Sequence, residues 1–257
     1  MKLILVVIIA VFACAVILSY RTNIEEIPRH IVAREKGFAL VELFTSEGCS
    51  SCPAADELVA RIQREDDHLP VYILAFHVDY WNKLGWKDVF SSAEYSKRQN
   101  DYANWLKTAS VYTPQIVVNG TKEFVGSDEQ LLKKTIQNAL NTHAATSLNL
   151  SDLKLSDGRI SLKCQFDPVT ENDVLQVALV QKAGQTIVKK GENGGRTLSH
   201  VQIVRNLITI AVKGSGSVTA VIELPKDLST SNTEVIAFLQ NKSTGEIVGA
   251  SQIGLSP

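Results

Sequence analysis

The sequence predicts an α/β domain with a helical insert, followed by an all-β, sandwich-like domain. Three observations predict this. Strand and helix patterns alternate from residue 37 to about residue 145, as in a sheet covered by helices. Aromatic and then polar helical sequence, from Tyr80 to Ala109, interrupts that alternation. Beyond Thr146 no helical pattern is found, and short apolar runs recur between turn signals.

Phe38 to Phe44 is apolar apart from Glu42 and reads as a buried strand. Thr45 to Ser51 reads as a turn. Cys52 to Arg64 has Leu58, Val59 and Ile62 on one side and reads as a helix, with Pro53 suited to its first turn. Val71 to Val78 is apolar almost throughout, as in a strand buried on both faces. Within the insert, Ser92 to Lys107 reads as a helix. Ile116 to Val118 and Lys122 to Val125 are strands joined by Asn119-Gly120, a strong two-residue hairpin signal. Glu129 to Leu140 is amphipathic, with Leu131, Leu132, Ile136 and Leu140 apolar. Seven further runs are expected strands: Leu148–Leu155, Ile160–Phe166, Val174–Gln181, Val201–Val212, Val218–Leu224, Val235–Gln240 and Ile247–Ile253.

Residues 1–20 read as a targeting segment. Leu3 to Leu18 carry no charge, with Lys2 before them and Arg21 after. The run suits a signal peptide or a single membrane anchor, the latter short against the ~20 residues of a clean span. Either delivers the chain outside the cytoplasm, to the periplasm or beyond. Residues 21–36 are polar and include Pro28, as in a linker. The two expected domains are then 37–145 and 146–257.

Composition excludes several classes. The chain has 257 residues, 45% of them hydrophobic, and a formal net charge of −1. That is globular, not disordered or low-complexity, and lacks the basic excess of a nucleic-acid binder. Four cysteines are too few for a disulfide-built scaffold. Cys164 alternates with Leu162 and Phe166 and reads as a buried free thiol.

Chemistry concentrates at Cys49-Ser50-Ser51-Cys52, between a strand and a helix. This spacing puts both sulfurs near one turn, the first expected to face outward. The unpaired amides and positive dipole end of the helix favour a thiolate, the attacking species in disulfide exchange. Ser50 and Ser51 can tune the thiols with hydroxyl donors, and one of them can cap the helix.

At this point the sequence resembles the thioredoxin superfamily. Val111-Tyr112-Thr113-Pro114-Gln115-Ile116 is similar to the cis-proline loop that faces the C-x-x-C in that superfamily. The resemblance implies a thioredoxin-like first domain, a cis bond before Pro114, and alignment of a substrate chain by Thr113 and Pro114. It also implies that Glu42 relays a proton to Cys52. A closer resemblance is to a bacterial secreted thioredoxin-like family of unknown function. It rests on Val41 to Asp56, His77-Val78-Asp79-Tyr80-Trp81, and Gly191 to Leu198.

The expected activity is extracytoplasmic thiol–disulfide exchange. It needs no cofactor and acts on a protein or small thiol or disulfide, with an unidentified redox partner. Two alternatives stay open: a copper- or metal-handling protein, and a non-catalytic binding module. His77 and Asp79 share a face of their strand, so they either tune the thiols or form an ordinary buried pair. With Cys49 and Cys52, His77 supplies three ligands, one short of a structural zinc site, although copper could accept such a set. The insert aromatics Tyr80, Trp81, Trp86, Tyr95, Tyr102 and Trp105 read equally as a substrate wall or a satellite core. Gly191 to Gly195 reads as a hairpin or interdomain loop, and His200 as a surface residue.

Overall fold

Each of the expected strands and helices forms close to its apolar pattern in the computed structural model, which describes residues 37–255. The targeting segment and linker expected before residue 37 lie outside the described residues. Along the first half run β1 (Ala39–Thr45), α1 (Cys52–Glu65), β2 (Val71–His77), α2 (Ala93–Leu106), β3 (Gln115–Val118), β4 (Lys122–Val125) and α3 (Glu129–Leu140). Then come β5 (Leu148–Ser156), β6 (Arg159–Val169), β7 (Asp173–Ile187), β8 (Thr197–Ala211), β9 (Gly214–Glu223), β10 (Thr233–Asn241) and β11 (Ile247–Gly254).

The assembly of these elements overturns the expected fold class. The chain does not form an α/β thioredoxin-like domain with a helical insert beside a separate sandwich. It is mostly β, and strands from both halves share one eight-stranded mixed sheet, in the order β11-β10-β7-β8-β2-β1-β3-β4. The joint is a parallel bridge between β2 and β8 at Ala75 and Ile203. The physical reason lies in β2. It pairs with β1 in parallel along one edge, from Ala39–Val71 to Thr45–His77. Its other edge would leave backbone donors and acceptors unpaired, and β8 covers it.

Three apolar layers follow from this sheet. One face carries Leu40, Phe44, Leu74 and Phe76 of the first half together with Ala178, Val180, Ile236 and Phe238 of the second. Tyr95 and Tyr102 of α2 pack across both groups. The supposed insert is therefore a covering layer of the joined sheet. Its Ser92 cap accepts from the Glu94 amide. On the opposite face, α1 and α3 cover Val41, Leu43, Ile73 and Ile116. The three-stranded sheet β5-β6-β9 covers Leu175, Val177, Val235 and Ala237 there.

Turn chemistry ties the halves again. Asn119 (φ 47°) and Gly120 (φ 68°) form the β3–β4 turn, with the positive dihedrals such a turn requires. The Asn119 side chain accepts from the Leu40 amide at 2.7 Å, and its own carbonyl accepts from the Ile247 amide at 3.0 Å. A Cβ at Gly120 would overlap the Gly245 carbonyl oxygen. Among the described residues no helix is long and apolar enough to cross a membrane.

Candidate functional site

The site gathers where parallel strands β1 and β2 end and α1 begins. Residues after a strand end are free to turn outward, and the unpaired amides of α1 favour negative charge there. Cys49 and Cys52 form a disulfide with a Cα–Cα distance of 5.4 Å. The Thr113–Pro114 peptide bond is cis, and Cys49 Sγ lies 3.8 Å from the Thr113 carbonyl oxygen. The structure thus brings Cys49, Cys52, Thr113 and Pro114 together.

Other placements depart from expectation. Cys49 does not face outward: it is 1% exposed and Cys52 is 0% exposed. The cover comes from the β7–β8 connection. Asn193 donates to the carbonyls of Glu47 and Cys49, at 2.9 Å each, and Glu192 accepts from the Ser50 amide at 3.0 Å. The Ser50 hydroxyl and amide hold the Glu192 carboxyl below its ordinary value. Ser51 occupies the cap position of α1 without a side-chain cap bond; its hydroxyl lies 3.4 Å from Cys49 Sγ instead.

Glu42 is not brought to the cysteines. Alternation along β1 turns Val41, Leu43 and Thr45 toward α1 and Glu42 toward α2. There Arg98 Nε and Nη2 donate to its two oxygens at 2.6 and 2.8 Å, and the Tyr102 hydroxyl donates as well. Burial opposes the Arg98 charge, but the Glu42 carboxylate more than offsets this and holds the guanidinium above its ordinary pKa. Asp79 also leaves the site, accepting from the Ser96 hydroxyl of α2 at 2.5 Å.

His77 does reach the site, in a buried cluster that the sequence reading only half identified. Its Nδ1 lies 2.7 Å from Asp88 Oδ2, and both side chains are fully buried. Burial disfavours the charged imidazole, yet the adjacent Asp88 carboxylate, helped by Asp56 and Glu47, holds His77 above its ordinary value. Burial pushes Asp88 the other way from its partner; contact with His77 and the amides of Glu47 and Phe90 outweigh it and hold Asp88 low. Asp56, one turn beyond Cys52 on α1, accepts from the Thr45 hydroxyl at 3.0 Å. His200, expected at the surface, is 2% exposed. Its Nδ1 is 3.3 Å from Asp56 Oδ1, and its ring stands edge-on to His77 with centroids 4.7 Å apart.

The long β7–β8 hairpin delivers His200. Its cross-strand partner is Gly184, where a Cβ would come within 2.7 Å of Ile203 Cδ1 and 3.1 Å of Phe90 Cζ. The alternation of polar residues from Lys182 to Ile187 hides this extension in the sequence. The aromatics divide between two tasks. Trp81 Nε1 donates to Thr113 Oγ1 at 2.9 Å and Trp86 Nε1 to Glu47 Oε2 at 2.6 Å, whereas Tyr95 and Tyr102 are core.

Fold and site together define a β-rich protein of mixed sheet, with a covered C-x-x-C disulfide beside a buried histidine–carboxylate cluster. The chain belongs to the family described as "Protein of unknown function (DUF1223)", whose model matches residues 40–240. It is similar to the crystal structure of protein AGR_C_4864 of Agrobacterium tumefaciens, at 27% identity and a TM-score of 0.67, over 87% of this chain and 97% of that one. That likeness spans both halves, in keeping with one joined architecture. HBP35 of Porphyromonas gingivalis shares the fold at 18% identity and a TM-score of 0.62, over 86% of this chain and 76% of that one. No curated protein matches.

Proposed function

We propose that this protein is an extracytoplasmic thiol–disulfide oxidoreductase. The observation that supports it best is the contact of Cys49 Sγ with the Thr113 carbonyl, beside a cis Pro114, at the start of α1. The resemblance to the thioredoxin superfamily in these residues supports the reading; the overall sheet does not. The uncharged run Leu3–Leu18 supports export.

In the reduced protein the Cys49 thiolate attacks one sulfur of a substrate disulfide. A mixed disulfide forms and one substrate thiolate leaves. The Cys52 thiolate then attacks Cys49 Sγ, which re-forms the Cys49–Cys52 bond and releases the second substrate thiolate. The Thr113 backbone and Pro114 align the substrate chain against Cys49. Because Asn193 and Glu192 cover Cys49, this cycle requires the 188–196 connection to swing aside.

A redox titration in glutathione buffers, read by alkylation and mass spectrometry, tests the reading. A midpoint between about −270 and −120 mV is expected for an exchange catalyst, and one below about −300 mV marks a structural bridge. Cys52→Ser should trap a mixed disulfide that Cys49→Ser cannot form. Full exchange activity in both variants overturns the assignment.

A further inference from the structure

Beside the disulfide lies a second cluster whose chemistry thiol exchange does not use. Asp56, His77 and His200 each bring a ligand-capable atom within 4.8 Å of the others, and all three are buried. Glu47 Oε1 lies 3.8 Å from His200 Nε2. Three buried atoms here have no hydrogen-bond partner: His77 Nε2, His200 Nε2 and Glu47 Oε1. Such atoms are costly to bury unless something else binds them.

The orientation of the rings is informative. His77 Nδ1 faces Asp88 Oδ2 and His200 Nδ1 faces Asp56 Oδ1. Each imidazole is thus anchored to a carboxylate through Nδ1 and keeps Nε2 available. This is the carboxylate–histidine arrangement that orients metal ligands. Charge points the same way. Glu47, Asp56 and Asp88 are all buried, and their only ion-pair partners among the described residues are these two histidines. Among the described residues no lysine or arginine is ion-paired with any of the three carboxylates.

We propose that the cluster of Asp56, His77 and His200, with Glu47 Oε1 beside His200 Nε2, binds one divalent transition-metal ion. Asp88 positions the His77 ring through Nδ1. Nitrogen and carboxylate donors without sulfur suit Zn²⁺, Fe²⁺ or Mn²⁺. The site differs from a thiolate site built on Cys49, Cys52 and His77, since neither sulfur is a ligand. It is independent of the exchange activity proposed above.

Zn²⁺ and Co²⁺ serve as probes on the oxidised full chain, in which the disulfide withholds both sulfurs. After chelator treatment, one equivalent of Zn²⁺ should survive gel filtration and raise the thermal midpoint. The Co²⁺ form should show ligand-field absorption without a thiolate charge-transfer band. Glu47→Gln, nearly the same size, should weaken binding at least tenfold, and His200→Gln should abolish it. Cys49→Ser/Cys52→Ser should bind as the wild type does. Absence of retained metal in the wild type overturns the proposal. So does binding that survives Glu47→Gln undiminished but disappears in the double cysteine variant. Exchange activity is not read in any arm, so failure of one proposal leaves the other standing.

Discussion

Replacing Arg98 by Met should cost about 3–5 kcal/mol of stability, the usual consequence of stranding one partner of a buried ion pair. The Glu42 side chain is 0% exposed and that of Arg98 8%. Arg98 donates to both Glu42 oxygens, to Gln240 Oε1 at 3.0 Å and to the Tyr102 hydroxyl at 3.1 Å. Its guanidinium also lies over the rings of Phe76, Tyr102 and Phe238, at 5.2–5.4 Å. Losing it leaves the buried carboxylate without a counter-charge, with the Tyr102 hydroxyl still donating to it. At ~2–4 °C per kcal/mol for a chain of this size, the thermal midpoint should fall by roughly 6–20 °C. The double variant Arg98→Met/Glu42→Leu removes both charges. It should recover most of the loss, retaining about 1–3 kcal/mol for the unpaired Gln240 carbonyl. Urea denaturation of wild type, single and double variants measures this. A single-variant loss under about 1 kcal/mol, or a double variant worse than the single, refutes the argument. Glu42→Gln should leave the alkylation rate of reduced Cys52 unchanged; a slowed rate would restore the proton-relay role that the geometry denies.

Asn193→Ala removes the amide that holds two buried carbonyls, and should cost about 1–3 kcal/mol in urea denaturation. It should also hasten reduction of Cys49–Cys52 by dithiothreitol; an unchanged rate means that the connection does not cover the disulfide. Cys164 is a buried free thiol whose pKa burial pushes up to about 11. An unfolded thiol ionises near pH ~8.5. The native state therefore holds its proton longer, and stability is lost as pH rises from about 8.5 toward 11. The wild type should lose stability more steeply over that range than Cys164→Ala, and parallel curves would contradict the burial.

Local structure was largely legible in the sequence, because period and turn chemistry are local. The Asn-Gly turn, the amphipathic α3 and the seven later strands all follow from neighbours in the chain. The joined sheet does not. Nothing in Val71–His77 distinguishes an edge covered by a helix-linked strand from one covered by β8, some 125 residues later. At the site, the cysteines and the Thr113-Pro114 loop are contiguous motifs and could be read. His200 and Asn193 could not, since they arrive on the polar, extended end of the β7–β8 hairpin. Gly184 marks a close approach by a neighbour only once the strand is seen to run on to Ile187, where it sits opposite His200.

The joined sheet makes a clear demand on any truncated form. A fragment ending at residue 145 would retain β1, β2 and all three helices, which is the whole of a conventional α/β unit. Yet α2 would lose the Phe238, Ile236, Val180 and Ala178 surface on which it packs. Arg98 would lose Gln240, and the Tyr95 hydroxyl would lose the Val204 carbonyl, to which it donates at 3.0 Å. The open edge of β2 would lie bare, and the disulfide would lose Asn193. Phe44, Phe76, Tyr95 and Tyr102 share that layer and would lose cover; at about 1.5–3 kcal/mol for each fully re-exposed side chain, the loss reaches the range of typical domain stability. The fragment 34–145 should therefore be unfolded or aggregated, with collapsed amide dispersion in a proton–nitrogen NMR spectrum, whereas 34–257 gives a dispersed one. A well-dispersed spectrum from 34–145 would show instead that the first half is an autonomous domain, and that β8 only leans on an edge already stable without it.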